Sequence, residues 1–206
     1  MEARDPERSC VFVVDDDAAV RKAVALLLKS VSLPVETFES GRDFLDAFDP
    51  ERPGCLVLDL RMPGPSGLDV QEELRRRGSS LPIVFITAHG DVPNAVQAMQ
   101  AGAVDFIQKP FRDQDLLDRV HKALEIEART REEGQDRAVL RERLERLTPR
   151  EREVMARVVD GQANKAIAYD LEVSERTVEI HRSRVMSKME ARSLAELVRM
   201  AVRLND

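Results

Sequence analysis

Cysteine, histidine, long apolar runs and surplus positive charge are all scarce in this chain. Its 206 residues include 2 Cys and 3 His. Cys10 and Cys55 are far apart, both within short apolar segments, and read as small buried hydrophobes in a reducing cytoplasm. With the scattered histidines they offer no zinc-ligand spacing. No apolar run approaches the length that spans a bilayer. The start, Met1 to Pro6, lacks a signal peptide's apolar stretch, so a cytoplasmic location without a membrane partner is expected. The net charge is -6, and it is unevenly spread. Residues 1–125 hold 15 Lys/Arg against 22 Asp/Glu, and residues 126–206 hold 17 against 16. This division suits a two-part protein, but neither part is basic enough for charge alone to argue nucleic-acid binding.

What is present is a series of short apolar runs, each ending in a polar residue. Val11 to Val14 runs into Asp15, Asp16 and Asp17. Cys55 to Leu58 runs into Asp59, Ile83 to Ile86 into Thr87, and Val104 to Gln108 into Lys109. With Pro34 to Phe38 these segments read as five strands, separated by amphipathic helical stretches. The helices carry Val20, Val24, Leu27 and Leu28; Phe44, Leu45 and Phe48; Leu68, Val70 and Leu74; a stretch from about Val92 to Gln100; and one beginning near Asp113. Asp17 and Ser40 stand where helix N-caps belong. Alternating strands and helices imply a parallel α/β sheet with right-handed crossovers. In such a sheet the carboxyl edge of the strands is where sites are built.

The residue types at that edge suit a divalent cation and a phosphoryl group. Asp16 and Asp59 offer side-chain oxygens to Mg²⁺ or Mn²⁺, with Asp15 binding directly or through water. Asp59 can accept a phosphoryl group as an acyl phosphate. Lys109 offers a point charge to the phosphoryl oxygens, and Thr87 a hydroxyl donor. A hydrolase using Asp59 as nucleophile would commonly place a second carboxylate two residues on, where this chain has Arg61.

Residues 112–147 are charge-rich. Val139, Leu140, Leu144 and Leu147 recur there at roughly helical spacing. The segment reads as one long helix, or two broken near Gly134, acting as a solvated and rather stiff spacer. A short coiled coil is the other arrangement the spacing allows, on fewer than three heptads. Residues 148–204 read as four helices. Thr148 with Glu151, and Ser193 with Glu196, have capping-box spacing, and Pro149 takes the first helical position. Glu172 to Ser174 is a turn fit for a helix-turn-helix. The helix from Ser174 to Met189 repeats Val178, Val185 and Met189 at core spacing. Arg176, His181, Arg182, Arg184 and Lys188 populate its other faces. A protein-interaction module would show similar amphipathicity, so the pattern alone leaves DNA and protein partners both open.

Residues 10 to about 125, through VVDDD, DLRMPG, TAHGDV and AGAVDFIQKPF, resemble the receiver domain of two-component response regulators in the FixJ branch. Residues 148–203, through LTPREREV, NKAIAYDL, SERTVEIHRSRVMSKM and SLAELVRMA, resemble the LuxR/NarL-type helix-turn-helix domain. The resemblance implies a CheY-like receiver over 9–125, a helical linker over 126–147 and a DNA-binding domain over 148–206. It implies that Asp59 accepts phosphate from a sensor histidine kinase and that the carbonyl of Arg61 completes the metal shell. Thr87 and Phe106 would form a switch pair, although Phe106 also suits a core aromatic. His89 falls beside the site, where a solvated loop residue is the plainer role. In the C-terminal domain Glu179, Ile180 and Ser183 would face bases of double-stranded promoter DNA. Thr177, Arg182, Arg184 and Lys188 would mostly face phosphates, with Lys165 adding a contact from the preceding helix. Glu179 departs from the lysine common in the NarL branch, and a Glu can accept from a cytosine amino group. The helix from Ser193 to Arg203 would form the dimer. The expected protein is therefore a transcription factor, not an enzyme beyond its own phosphoryl transfer and hydrolysis. Phosphorylation would favour a homodimer on an inverted repeat, with RNA polymerase a further partner and activation the expected outcome. A phosphorylation-independent regulator and a phospho-switched interaction module are the alternatives.

Overall fold

The computed structural model describes residues 9–87 and 92–205. Its elements form two compact units that divide between Arg131 and Glu132. The first unit contains the strands β1 (Cys10–Val14), β2 (Val35–Phe38), β3 (Gly54–Asp59), β4 (Ile83–Thr87) and β5 (Asp105–Gln108). Between them run α1 (Ala18–Ser30), α2 (Gly41–Ala47), α3 (Gly67–Arg76) and α4 (Val92–Gln100), and α5 (Asp113–Glu145) follows. The strands lie in the order β2-β1-β3-β4-β5, all parallel.

Both faces of the sheet are covered, which explains why its three central strands, β1, β3 and β4, are nearly continuous apolar runs. Side chains alternate across a strand, and the two cores follow that period. Phe12, Val14, Leu56, Leu58 and Phe85 share one core with Phe44, Val70, Leu74 and Ala98, from α2, α3 and α4. Val11, Val13, Cys55, Val57, Val84 and Ile86 share the other with Val24, Leu28, Leu116 and Val120, from α1 and α5.

Local chemistry sets the helix starts. The Asp17 carboxylate accepts from the backbone of Ala19 and Val20 to cap α1, and Ser40 accepts from Asp43 to cap α2. Ser66 and Asp69 form a reciprocal capping box on α3. Gly67 follows at a close approach: a Cβ there would lie 2.5 Å from the carbonyl oxygen of Asp59. Only glycine lets the start of α3 press against the end of β3.

The second unit, residues 132–206, takes in the last part of α5 together with α6 (Pro149–Val159), α7 (Asn164–Asp170), α8 (Glu175–Met189) and α9 (Leu194–Asn205). Helix α5 runs unbroken through Gly134, which resolves the choice between one helix and two in favour of one. The second compact unit takes in the end of α5 from Glu132, ahead of Thr148, with Leu140 and Leu147 buried and Leu144 packed into the core. Val139, grouped with them by spacing, is instead exposed. Val154, Met155, Val158, Ile167, Val178, Val185, Met189 and Leu197 complete that core. Thr148 and Glu151 form a full capping box. The Ser193–Glu196 pair departs from this pattern: Ser193 accepts from the Glu196 backbone, while the Glu196 carboxylate accepts from Arg192. No helix among the described residues is long and apolar enough to cross a membrane.

Candidate functional site

Parallel strands deliver their C-terminal residues to one edge, so β1, β3, β4 and β5 bring Asp15, Asp59, Thr87 and Lys109 together. The order reverses between β1 and β3, and the crevice at such a reversal is where ligands bind in open α/β sheets. One carboxylate oxygen each from Asp15, Asp16 and Asp59 lies within 4.8 Å of the others. Asp15 and Asp59 are buried and Asp16 is exposed. The Lys109 ammonium donates to Asp15 Oδ2 at 2.5 Å and to Asp59 Oδ2 at 2.8 Å.

Backbone donors fix the other carboxylate oxygens. The amide of Asp17 donates to Asp15 Oδ1 at 2.9 Å, and the amide of Arg61 to Asp59 Oδ1 at 3.1 Å. The amide of Lys109 donates to the Thr87 carbonyl at 2.7 Å, which carries the lysine across from β5 toward the centre of the edge. Arg21 on α1 was not anticipated from the sequence. Its guanidinium donates to the Asp15 carbonyl at 2.6 Å, steadying the acidic turn from outside the strand. Thr87 is buried, and Phe106 is half-buried against the core beneath it. His89 lies outside the described residues.

Burial pushes the Asp15 carboxyl above its ordinary range, against the pull of Lys109 and the Asp17 amide. Burial would lower the Lys109 ammonium, but its hydrogen bonds to Asp15 and Asp59 outweigh that and raise it. One ammonium thus serves a site of three acids. The donor set is all hard oxygen with one acid at the surface, as a partly hydrated Mg²⁺ requires. These residues fit a divalent cation.

The second unit carries the other expected surface. Leu171 closes α7, Glu172 takes a left-handed conformation and Ser174 caps α8, giving the helix-turn-helix geometry. Arg176, Glu179, Ile180 and Ser183 line one open depression on α8. Arg184 and Lys165 are exposed. Three residues expected at phosphates also have internal partners. Lys188 donates to the buried Glu151 carboxylate at 2.6 Å, Arg182 donates to Asn164 at 2.6 Å, and the Thr177 hydroxyl pairs with that of Ser174 at 2.8 Å. The reason for the first is a buried acid in need of a cation. Glu151 is 2% exposed, and sequence spacing revealed only its capping role.

Comparison with known proteins assigns both units. The family described as "Response regulator receiver domain" matches residues 11–121. That is more than half of the chain. The chain belongs to the response-regulator family. A second family, described as bacterial regulatory proteins of the luxR family, matches residues 145–201. This response regulator is 50% identical over 194 residues to nodulation protein W of Bradyrhizobium diazoefficiens, covering 94% of this chain and 86% of that protein. It is 47% identical over 193 residues to the transcriptional regulatory protein FixJ of Rhizobium meliloti, covering 93% and 94%. Among solved structures, the response regulator StyR shares 45% identity at a TM-score of 0.85, covering 95% of this chain and 99% of that one. Full-length FixJ from B. japonicum shares 40% at 0.58, covering 96% and 97%. The chain is thus a response-regulator transcription factor, with a CheY-like receiver joined to a helical LuxR-type DNA-binding domain.

Proposed function

We propose that phosphorylation of Asp59 by a sensor histidine kinase controls promoter binding by this protein. The observation that carries the reading is the single ammonium of Lys109 bridging Asp15 and Asp59 at the switch-point edge. In the transfer, an Asp59 carboxylate oxygen forms a bond to phosphorus. The phosphorus–nitrogen bond of the donor phosphohistidine breaks, and its electron pair returns to the imidazole. Lys109 balances charge on the phosphoryl oxygens, and the Thr87 hydroxyl donates to one of them. Asp15, Asp16, Asp59 and the Arg61 carbonyl would hold Mg²⁺ or Mn²⁺, which when bound supplies further charge neutralisation. The receiver catalyses this transfer and, slowly, the hydrolysis of its acyl phosphate by water, which returns Asp59 and releases inorganic phosphate.

Readout passes through Thr87 to Phe106, whose half-buried ring turns inward as the hydroxyl moves. Occupancy of the site then biases two receiver states rather than creating one. Residues 9–125 serve as receiver, 126–147 as helical linker and 148–206 as DNA-binding domain. Two phosphorylated chains pair on an inverted repeat in the cytoplasm, with RNA polymerase recruited and transcription activated. Glu179, Ile180 and Ser183 face bases, and Lys165, Thr177 and Arg184 face phosphates. Arg182 and Lys188 reach phosphates only by sharing the partners that hold them.

The test is selection of genomic duplexes by purified protein with Mg²⁺, with and without acetyl phosphate, for wild type and Asp59→Asn. The expected result is an inverted repeat enriched only when wild type receives the phosphodonor. Full phosphodonor-dependent enrichment by Asp59→Asn would overturn the mechanism.

A further inference from the structure

The end of α5 is fastened to the recognition helix. Within the second unit, Arg143 of α5 donates to the carbonyl of Met189 at 3.3 Å and to the Glu190 carboxylate at 2.5 Å. Met189 is the last residue of α8, and Glu190 is its left-handed C-cap. The last carbonyls of a helix have no intrahelical donor, and the helix dipole favours a cation there. Arg143 supplies both donor and charge from another helix. Its side chain is 22% exposed, and Glu190's is 55%. A half-exposed ion pair adds little by itself, but a guanidinium that spans a carbonyl and a carboxylate also fixes direction.

Three successive residues at the start of α6 reinforce the joint. Arg150 donates to the Leu171 carbonyl at the helix-turn-helix turn. Glu151 accepts from Lys188 on α8. Arg152 donates to the carbonyls of Leu144 and Glu145, capping the end of α5. The C-terminal half of α8 is therefore held by two cation–acid pairs, one from α6 and one from α5. None of these groups lies on the exposed face of α8 that carries Glu179, Ile180 and Ser183.

We propose that Arg143 is a positioning residue for DNA recognition: it clamps the C-terminal end of α8 to the linker helix and sets how the reading face is presented. The inference rests on α8 being the DNA-reading helix. It makes the final turns of α5 part of the DNA-binding apparatus rather than spacer.

The experiment uses the full chain as wild type, Arg143→Ala, Glu190→Gln and Arg143→Glu/Glu190→Arg. The probe is a duplex selected by phosphorylated wild type. Backbone hydrogen exchange is followed alongside affinity and its salt dependence. Arg143→Ala should weaken specific binding by about tenfold, the scale of one lost charge-assisted hydrogen bond. The salt slope should not change, because no phosphate contact is removed. Exchange should quicken at residues 186–191 and not throughout the unit. Glu190→Gln should show a smaller loss, and the reversed pair should recover part of it. Unchanged affinity and exchange in Arg143→Ala would overturn the clamp. A lower salt slope would overturn it too, making Arg143 a phosphate contact, and so would uniformly faster exchange without recovery in the reversed pair. If wild type selects no duplex, the DNA-reading assignment itself fails, and that outcome is separate from a wild type that binds and a variant that binds equally.

Discussion

The acid site of the receiver and the exposed face of α8 are built on opposite physical terms. At the first, two of three carboxylates are buried and one ammonium already bridges them. At the second, Glu179, Ile180 and Ser183 stand open to solvent in a shallow depression. A site that does chemistry on a small charged group needs preset charges in a water-poor pocket. A surface that reads a duplex needs reach, and its rigidity must come from behind. Here that backing is the core beneath α8 and the ion pairs of Lys188 and Arg143. The same residue type therefore does different things in the two units: Lys109 bridges two acids of a candidate site, whereas Lys188 pairs with the buried Glu151 of a neighbouring helix.

The largest test of this division is Phe44→Ala. It empties a fully buried position in the receiver and should cost roughly 3–5 kcal/mol there. Calorimetry should show one transition falling while that of the DNA-binding unit stays. A joint fall of both would break the picture of two separate cores.

Next comes Glu151→Ala, which removes a buried acid, half of a capping box and the partner of Lys188. It should destabilise the second unit by about 2–3 kcal/mol and leave the receiver unchanged. The same group gives a pH dependence. The hydrogen bond from Lys188, then that from the Thr148 amide, hold its carboxyl below the ordinary glutamate value of 4.5. A depressed folded-state value stabilises above the unfolded value and is lost as pH falls through the folded one. Acid titration followed by circular dichroism should show this contribution fading below about pH 4.5 in wild type, and absent in Glu151→Gln.

Asp59→Asn relieves crowding among three acids. In buffer without divalent cations it should raise receiver stability by about 1 kcal/mol, and Mg²⁺ should narrow the gap by favouring the wild type. Lower stability of the variant in chelator would contradict the charge account of the pocket. The smallest stability effect belongs to Arg184→Ala, which is exposed and should leave melting unchanged. It should lower the slope of log affinity against log salt by about 1. An unchanged slope would remove Arg184 from the phosphate contacts.

Much of this was legible because local chemistry writes short-range signals. Four of the five strands show as apolar runs leading into Asp, Thr or Lys, and the caps at Asp17, Ser40 and Thr148 stand at the right spacing. The acids could be grouped before any fold was known, since parallel strands must end on one edge. Less legible were partners far apart in the chain. Arg21 and Arg143 look like ordinary surface charges in charged segments. Glu151 reads as a cap, and Val139 shares its helical spacing with Leu140, Leu144 and Leu147.

By itself, the sequence determined the alternation of elements, their starts, and the set of polar residues at the strand ends. Those depend on period, capping and turn preferences acting over a few residues. Tertiary structure alone decided the strand order that puts Asp15 beside Asp59. It alone also decided the commitment of Lys188, Arg182 and Arg143 to internal partners. A charged side chain's partner is chosen by which elements pack together, and that choice follows from burial across the whole unit rather than from neighbours in the chain.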